Sequence, residues 1–388
     1  MKQALNNNTA QNYFLPHEKL QNLLLALQQA KYVCIGPQVR DNAIVYDVLE
    51  DAQQLPWGVR DHQAPGEYRL EKIAEQEAFA FANGPQAIKP LLFKPRETIW
   101  KVMRNAEGKL IFQPENPAEK PLAILGARSC DLVAMAIQDK VFLEKGHVDN
   151  SYRQRRENLF IIAINCTYSS TNCFCVSAGT GPRVTNPYDI LMTELPNGFV
   201  VNIGSEKGKR IIDQLNLSES KSEQNKRAEK RVEKAANMQT KRIPLNNSRE
   251  LRDLLFSNLD HPRWEEVAER CLSCGNCTSV CPTCFCHSEV EVPALDGKES
   301  QHQREWDSCF TAGHSYLNGV GVIRDDTRKR YRQWLTHKVG SWFDQFDTSG
   351  CVGCGRCVTW CPVGIDITEE LAAISGESNE REKEHEES

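Results

Sequence analysis

Two stretches near the carboxyl end share one cysteine spacing, and this pair constrains the fold more than any other feature. In each stretch three cysteines follow at intervals of three residues, and a fourth comes four residues later, directly before a proline. Such runs hold [4Fe–4S] clusters in bacterial ferredoxins, where the fourth cysteine of each run binds the cluster of the other. The runs predict one cluster on Cys271, Cys274, Cys277 and Cys361, and a second on Cys351, Cys354, Cys357 and Cys281.

Structural zinc is the alternative for cysteines at this spacing. Zinc sites use pairs of the form Cys-x2-Cys, but they need neither a third cysteine three residues later nor a following proline. Because the whole four-cysteine pattern occurs twice, it favours two clusters and therefore an electron carrier.

The composition narrows the class of protein further. At 388 residues, the chain is long enough for two or three domains. The sixteen cysteines, the absence of a signal-like start and the lack of a long apolar run predict a cytoplasmic protein without a membrane span, whose thiols bind metal. A net charge of −5 offers no electrostatic basis for binding nucleic acid.

Residues 1–217 have the pattern of an α/β domain. The apolar runs at 121–126 and 158–164 predict buried strands, and the amphipathic segment 129–142 between them predicts a helix. A strand, a helix and a second strand in this order favour a parallel unit with a right-handed crossover. A turn at 194–198 predicts a hairpin between the flanking apolar segments.

Three further regions complete the predicted organisation. The stretch 218–246 is rich in charged residues and predicts a solvated helix or a linker at the domain boundary. Because positions 282 to 350, 69 residues, separate Cys281 from Cys351, we expect 247–374 to form a helical domain with two [4Fe–4S] clusters. The acidic tail 375–388 is predicted to be disordered.

Four other cysteines suggest a third cluster. Cys130 and Cys166 each follow a predicted parallel strand, at the sheet edge where open α/β folds build their sites. Cys173 and Cys175 lie in the same loop as Cys166. Core packing can explain any one of these thiols, but three within ten loop residues are hard to explain that way. We hypothesise a [4Fe–4S] cluster on all four, with Cys130 favoured as a thiolate by the first turn of a helix.

The remaining four cysteines are less informative. Cys284, Cys286 and Cys309 could form a rival third site with His287 or Asp307 as fourth ligand, or pack beside the two ferredoxin clusters. Packing is the preferred interpretation. Cys34 stands alone on a predicted strand and is expected to be a buried apolar residue.

Several motifs outside the cluster runs give the chain a family resemblance. It resembles the beta subunit of soluble cytosolic [NiFe] hydrogenases, also called sulfhydrogenases, and the related electron-carrying subunit of anaerobic sulfite reductase. The resemblance extends from about residue 36 to residue 372, apart from the charged stretch and the tail. Its motifs are the segments 65–69, 94–97, 126–131, 172–182, 281–286, 306–309 and 350–366.

The resemblance implies an electron-transfer subunit without a catalytic site of its own. Such a subunit relays electrons between a flavin subunit that uses NAD(P)H and a hydrogenase catalytic subunit that bears nickel and iron. In the sulfite reductase relatives, the acceptor is a sirohaem subunit. Two alternatives remain open: the α/β domain is itself an oxidoreductase fed by the clusters, or the chain is a redox-sensing scaffold.

Overall fold

The computed structural model describes residues 11–115, 120–144, 146 and 148–376. Residues 377–388 of the predicted acidic tail lie outside the described residues. The strands are β1 Tyr13–Pro16, β2 Val33–Arg40, β3 Ala43–Val48, β4 Val59–Ala64, β5 Glu67–Lys72, β6 Arg96–Arg104, β7 Leu110–Pro114, β8 Leu122–Ala127, β9 Leu159–Ile164, β10 Ile190–Leu195, β11 Gly198–Ile203, β12 Ser218–Glu219, β13 His287–Pro293, β14 Glu299–Trp306, β15 Tyr316–Leu317 and β16 Gly321–Val322.

The helices, within the same described ranges, are α1 Leu20–Gln29, α2 Lys89–Leu92, α3 Ser129–Phe142, α4 Asn150–Glu157, α5 Glu206–Asp213, α6 Ser222–Asn237, α7 Arg249–Ser257, α8 Arg263–Arg270, α9 Asn276–Ser279, α10 Thr327–Thr336, α11 Trp342–Phe346, α12 Arg356–Thr359 and α13 Ile367–Ser375. A π-helical turn at His337–Ser341 joins α10 to α11.

The amino-terminal half is built on a sheet with the strand order β12-β1-β11-β10-β9-β8-β2-β3. Its centre is parallel, because β8 pairs in parallel with both β2 and β9, and β9 does so with β10. The predicted strand–helix–strand unit is therefore present as β8, α3 and β9. The predicted hairpin is present as β10 and β11.

Apolar side chains cover both faces of this sheet, as expected of a parallel sheet between helices. On β9, Phe160 and Ile162 pack in one core with leucines of α1 and isoleucines of α5. The alternate residues Ile161 and Ala163 pack in a second core with α3 and α4. The two-residue period of the strand thus separates the two layers.

The charged stretch after the sheet contains one long helix, α6. Its apolar residues Ala228, Val232 and Ala235 are buried, and the helix contacts β10 and β11. The many charged side chains of α6 lie mainly on its exposed face. Of the two expectations for this stretch, the helix is therefore the one observed, with one face packed on the sheet.

The carboxyl-terminal half is mainly helical around an aromatic core. Trp264 of α8 packs with Tyr331 and Trp334 of α10, and Leu371 of α13 closes the same core. Cysteines from both runs lie against these side chains. This is the helical setting that the long separation between the runs predicted.

One element of this half was not predicted from the sequence. Strands β13 and β14 form a hairpin within the spacer, and β14 pairs with β6 of the amino-terminal half. Arg304 of β14 is buried and makes ion pairs with Glu97 and Asp149. The second sheet, of order β13-β14-β6-β7, therefore joins the two halves.

The described residues contain no helix that is long and apolar enough to cross a membrane.

Candidate metal centre

Both cysteine runs fold in the same way. In each, a glycine with positive φ follows the second cysteine: Gly275 has φ 77° and Gly355 has φ 74°. This left-handed conformation, which glycine adopts without strain, turns the chain into a short helix that carries the third cysteine. These helices, α9 and α12, contact each other, so the two runs face one another.

The first group of thiols, here called site 1, consists of Cys271, Cys274, Cys277 and Cys361. These four cysteines line one cavity together with Phe310, Tyr331, Trp334 and other mainly apolar side chains. Cys274 is exposed at its surface, and the adjacent Leu272 is 63% exposed. Site 1 is therefore apolar inside and open to solvent at one corner.

The second group, site 2, consists of Cys351, Cys354, Cys357 and Cys281, and it lies deeper. Burial raises the pKa of Cys351 to about 12, and the neighbouring thiols of Cys354 and Cys281 act in the same direction. Burial also raises the pKa of Cys354 and Cys357. Such thiols ionise only with positive charge beside them, which a bound iron cluster would supply.

A buried lysine beside the thiols of site 2 shows whether an anionic group fits there. The ammonium of Lys338, on the π-helical turn, is 4% exposed and lies 3.2 Å from Cys281 Sγ and 3.5 Å from Cys284 Sγ. It also donates to the Thr283 hydroxyl at 3.2 Å. Among the described residues it has no carboxylate partner. The hydrogen bond with Cys284 and the Lys338 ammonium lower the pKa of Cys281 well below its ordinary value. Cys281 is therefore favoured as a thiolate, the form in which a cysteine binds iron.

The third group contains Cys130, Cys166, Cys173 and Cys175. Cys130 lies in the first turn of α3, and the other three cysteines lie in the loop after β9. Burial raises the pKa of Cys175 well above its ordinary value, and the thiols of Cys173 and Cys166 raise it further. Cys130 interacts with Cys175 and with Cys354 of site 2. The structure thus brings these thiols into one region.

Burial is a feature of this group that the sequence does not show. The buried guanidinium of Arg128 donates to the Phe81 carbonyl oxygen at 2.7 Å and lies near the Cys166 thiol, and it has no carboxylate ion pair among the described residues. Burial raises the pKa of the Cys130 thiol well above its ordinary value, which opposes the lowering expected from its place in the first turn of α3.

The loop of site 2 packs directly on the third group. Phe174 N donates to Gly353 O at 2.9 Å. A Cβ atom on Gly353 would lie 2.6 Å from Phe174 O, and one on Gly355 would lie 2.2 Å from Asn172 O. Only glycine therefore permits this approach. A buried ion pair of 2.9 Å between Arg356 and Asp131 holds the same loops together.

The cysteines without a clear role lie beside sites 1 and 2. Cys284 hydrogen-bonds to Cys281, and Cys309 interacts with Cys277 and Cys286.

Cys34 is buried on β2, as predicted, and burial raises its pKa to about 11. In the described part of the chain, no three or more His, Cys, Asp or Glu side chains are arranged to hold a single metal ion. A [4Fe–4S] cubane does not require such an arrangement, because its four thiolates bind four different irons.

Comparison with known proteins supports the two-cluster interpretation. Residues 270–365 match the model of a 4Fe-4S dicluster domain. The chain is 32% identical over 311 residues to sulfhydrogenase 2 subunit beta of Pyrococcus furiosus, an alignment that covers 79% of this chain and 89% of the relative. The chain belongs to the sulfhydrogenase beta-subunit family. No solved structure matches it.

Membership of this family confirms the predicted resemblance and the iron–sulfur character of the chain. The dicluster match covers both cysteine runs and the whole spacer, including the unpredicted hairpin. Sequence reasoning missed Lys338 and Arg356, because nothing in the sequence distinguishes a buried cation from a surface one.

Proposed function

We propose that the chain is the iron–sulfur relay subunit of a hydrogenase complex. It passes electrons between a subunit that holds flavin and uses NAD(P)H, and a catalytic subunit that holds nickel and iron. The observation that carries this proposal is the adjacency of sites 1 and 2. Cys357 of site 2 lines the same cavity as Cys277 of site 1, and the helices α9 and α12 that carry these two cysteines contact each other. Adjacent clusters allow a two-electron hydride donor to feed single-electron steps.

The ligand assignment follows from these two groups. Cys271, Cys274, Cys277 and Cys361 hold the first cluster, and Cys351, Cys354, Cys357 and Cys281 hold the second. When bound, each cluster accepts or donates one electron. The protein supplies thiolates, the buried Lys338 ammonium and an apolar enclosure, which are the factors that set cluster potential.

A third [4Fe–4S] cluster on Cys130, Cys166, Cys173 and Cys175 extends the relay. Its support is the packing of Cys130 and Cys354 in one buried cluster, together with the buried Arg128 guanidinium near Cys166. Electrons then run from this cluster to site 2 and on to site 1, or in reverse. Site 1 is the natural exchange point with a partner, because Cys274 and Leu272 are exposed.

A second candidate is that the α/β domain is itself an oxidoreductase fed by the clusters. A basic cavity of about 380 Å³ favours it, lined by Arg60, Tyr168 and residues of α6 that include Arg227, Lys230 and Lys234. Tyr168 interacts with Cys173, so an anionic substrate there would lie near the third cluster. Sulfite reductase remains the alternative partner for the relay function.

The experiment is anaerobic purification of the native complex, followed by addition of NADPH or NADH. We expect partner subunits to copurify and the clusters of this chain to become reduced, as followed by electron paramagnetic resonance. The isolated chain, loaded with iron and sulfide, should accept electrons from dithionite but not from NAD(P)H. Reduction of the isolated chain by NAD(P)H, or turnover of a small anion by it, would favour the second candidate. A sirohaem subunit in the complex would instead identify a sulfite reductase.

A further inference from the structure

We propose that the basic cavity beside α6 binds a small molecule that carries two phosphate groups. This cavity has a volume of about 380 Å³ and is lined mainly by residues of β4, α6 and the loop after β9. The proposal concerns the ligand of this site, and it holds whether or not the chain relays electrons to a hydrogenase.

Basic side chains line the cavity from one face of α6. Residues three and four positions apart lie on the same face of a helix, and this spacing relates Arg227, Lys230, Arg231 and Lys234. All four line the cavity. The apolar residues of α6 lie on a second face, against the sheet, and Glu229 lies on the remaining side, in an ion pair outside the cavity. The positive charge of the helix therefore converges on the cavity.

The protein does not balance these positive charges. Glu77 is the only carboxylate among the described lining residues, and its two oxygens accept from the Arg231 guanidinium at 2.5 and 2.6 Å. In the described part of the chain, no carboxylate pairs with the other lining cations, which are Arg60, Arg227, Lys230 and Lys234. Because like charges at this spacing repel, an anion in the cavity stabilises the arrangement. A phosphate monoester carries a charge of about −1.5 to −2 near neutral pH, so two phosphate groups match four cations.

A buried hydroxyl at the cavity wall also lacks a partner. Thr167 is 6% exposed and lines the cavity, and its Oγ1 has no hydrogen-bond partner among the described residues. Leaving a buried polar group unpaired is unfavourable, and a ligand oxygen at this wall removes that cost. A phosphate oxygen accepts hydrogen bonds both from a hydroxyl and from lysine and arginine side chains.

The shape of the site favours a small molecule over a protein surface. Pro196, Met238 and the ring of Tyr168 supply apolar walls. The ring is held in place, because the Tyr168 hydroxyl donates to Asp61 O at 2.9 Å and the Arg60 guanidinium lies 5.1 Å from the ring centre. Concave sites with apolar walls, a few charged groups and a volume of about 300–1,000 Å³ are typical of small-molecule binding. A nucleoside diphosphate has this combination of charge and apolar surface.

The test is isothermal titration calorimetry of the full, iron-loaded chain with ADP, inorganic pyrophosphate, inorganic phosphate and sulfate. We expect ADP and pyrophosphate to bind more tightly than phosphate or sulfate, and their affinity to fall as the salt concentration rises. Lys230→Gln/Lys234→Gln removes two exposed cations and should weaken ADP binding by at least about tenfold. The matched control Lys226→Gln, on α6 but outside the cavity, should leave ADP binding unchanged.

A second variant tests the buried hydroxyl without changing the charge. Thr167→Val nearly keeps the shape of the site and should weaken ADP binding by a smaller factor than the double variant, at unchanged iron content. Absence of ADP and pyrophosphate binding would overturn the proposal, as would equal weakening by Lys226→Gln or sulfate binding as tight as that of pyrophosphate.

Two further outcomes separate this proposal from its alternatives. If no small anion binds and the double variant loses a copurifying subunit, the basic face of α6 is a protein docking surface and the proposal is wrong. Failure of ADP to bind leaves reduction of the clusters in the complex unaffected, so the failure of this proposal is distinguishable from failure of the relay function.

Discussion

Sites 1 and 2 share a cysteine spacing, a left-handed glycine and a one-turn helix, but their surroundings differ. Site 1 is enclosed by aromatic and aliphatic side chains and reaches the surface at Cys274. Site 2 is buried between the two halves of the chain, with Lys338 and Arg356 beside its thiols. The motif determines which residues can bind iron, whereas the fold around it determines how readily the cluster accepts an electron.

The surroundings set the two potentials by different means. Reduction adds negative charge to a cluster, so a nearby buried cation favours the reduced state and raises the potential. Solvent has the same effect at an exposed site. We expect the potential at site 2 to depend on fixed charges and the potential at site 1 to depend on solvent. Single substitutions can test this difference.

The largest expected effect is on the free energy of unfolding, and it concerns the buried ion pair between Arg356 and Asp131 beside site 2. Asp131→Asn leaves the Arg356 guanidinium, 1% exposed, without its anion. We expect the free energy of unfolding to fall by about 3–5 kcal/mol, measured by anaerobic denaturant titration of the cluster absorbance. The control Asp344→Asn breaks the exposed pair with Arg252 and should cost at most about 1 kcal/mol. Equal losses in the two variants would show that site 2 does not depend on this pair.

The second prediction concerns the Lys338 charge. A unit charge about 6 Å from a cluster contributes about 3 kcal/mol at an effective dielectric constant of 20, so Lys338→Met should lower the site 2 potential by on the order of 100 mV. Redox titration followed by electron paramagnetic resonance measures this. Site 1 should shift much less, and the surface variant Lys329→Met should shift neither. A shift of both clusters by the same amount would contradict a local effect.

The third prediction sharpens the difference in exposure. An iron chelator added to the oxidised, loaded chain should remove the site 1 cluster first, because Cys274 is exposed while Cys351 and Cys354 are buried. Iron release and the loss of each spectroscopic signal are followed over time. Simultaneous release from both sites would mean that opening of the whole domain, and not local access, limits the reaction.

The smallest effect on the isolated chain is expected at Leu272. Because its side chain is 63% exposed, Leu272→Ser should change the free energy of unfolding by less than about 0.5 kcal/mol. In the complex, however, we expect slower electron exchange through site 1, measured by rapid mixing with the reduced partner. Val320→Ser, another exposed apolar residue, serves as the matched control. An unchanged exchange rate would move the docking surface elsewhere.

The sequence was sufficient for the elements that repeat a local pattern. Apolar runs identified β8 and β9, and the period of α3 identified the crossover between them. The spacing of the two runs placed eight cysteines in two facing loops. These predictions need only a few adjacent residues, because strand formation and loop geometry follow from local periodicity.

The rest depends on contacts between distant residues. The β13–β14 hairpin is rich in charged and polar residues, so it lacks the apolar alternation that marks a half-buried strand. It is stabilised by the pairing of β14 with β6, about two hundred residues earlier. In the same way, Lys89 and Lys338 look like surface lysines in sequence, and only the fold reveals that they are buried among thiols.

The pairing of β14 with β6 also limits how the chain can be divided into independently folding fragments. A fragment that begins at the dicluster domain would carry β14 with its inner edge unpaired and Arg304 without Glu97. An exposed strand edge of this kind invites association with other chains. The dicluster segment is therefore not a transplantable module, unlike a free ferredoxin, and an engineer who wants these clusters must take the sheet with them.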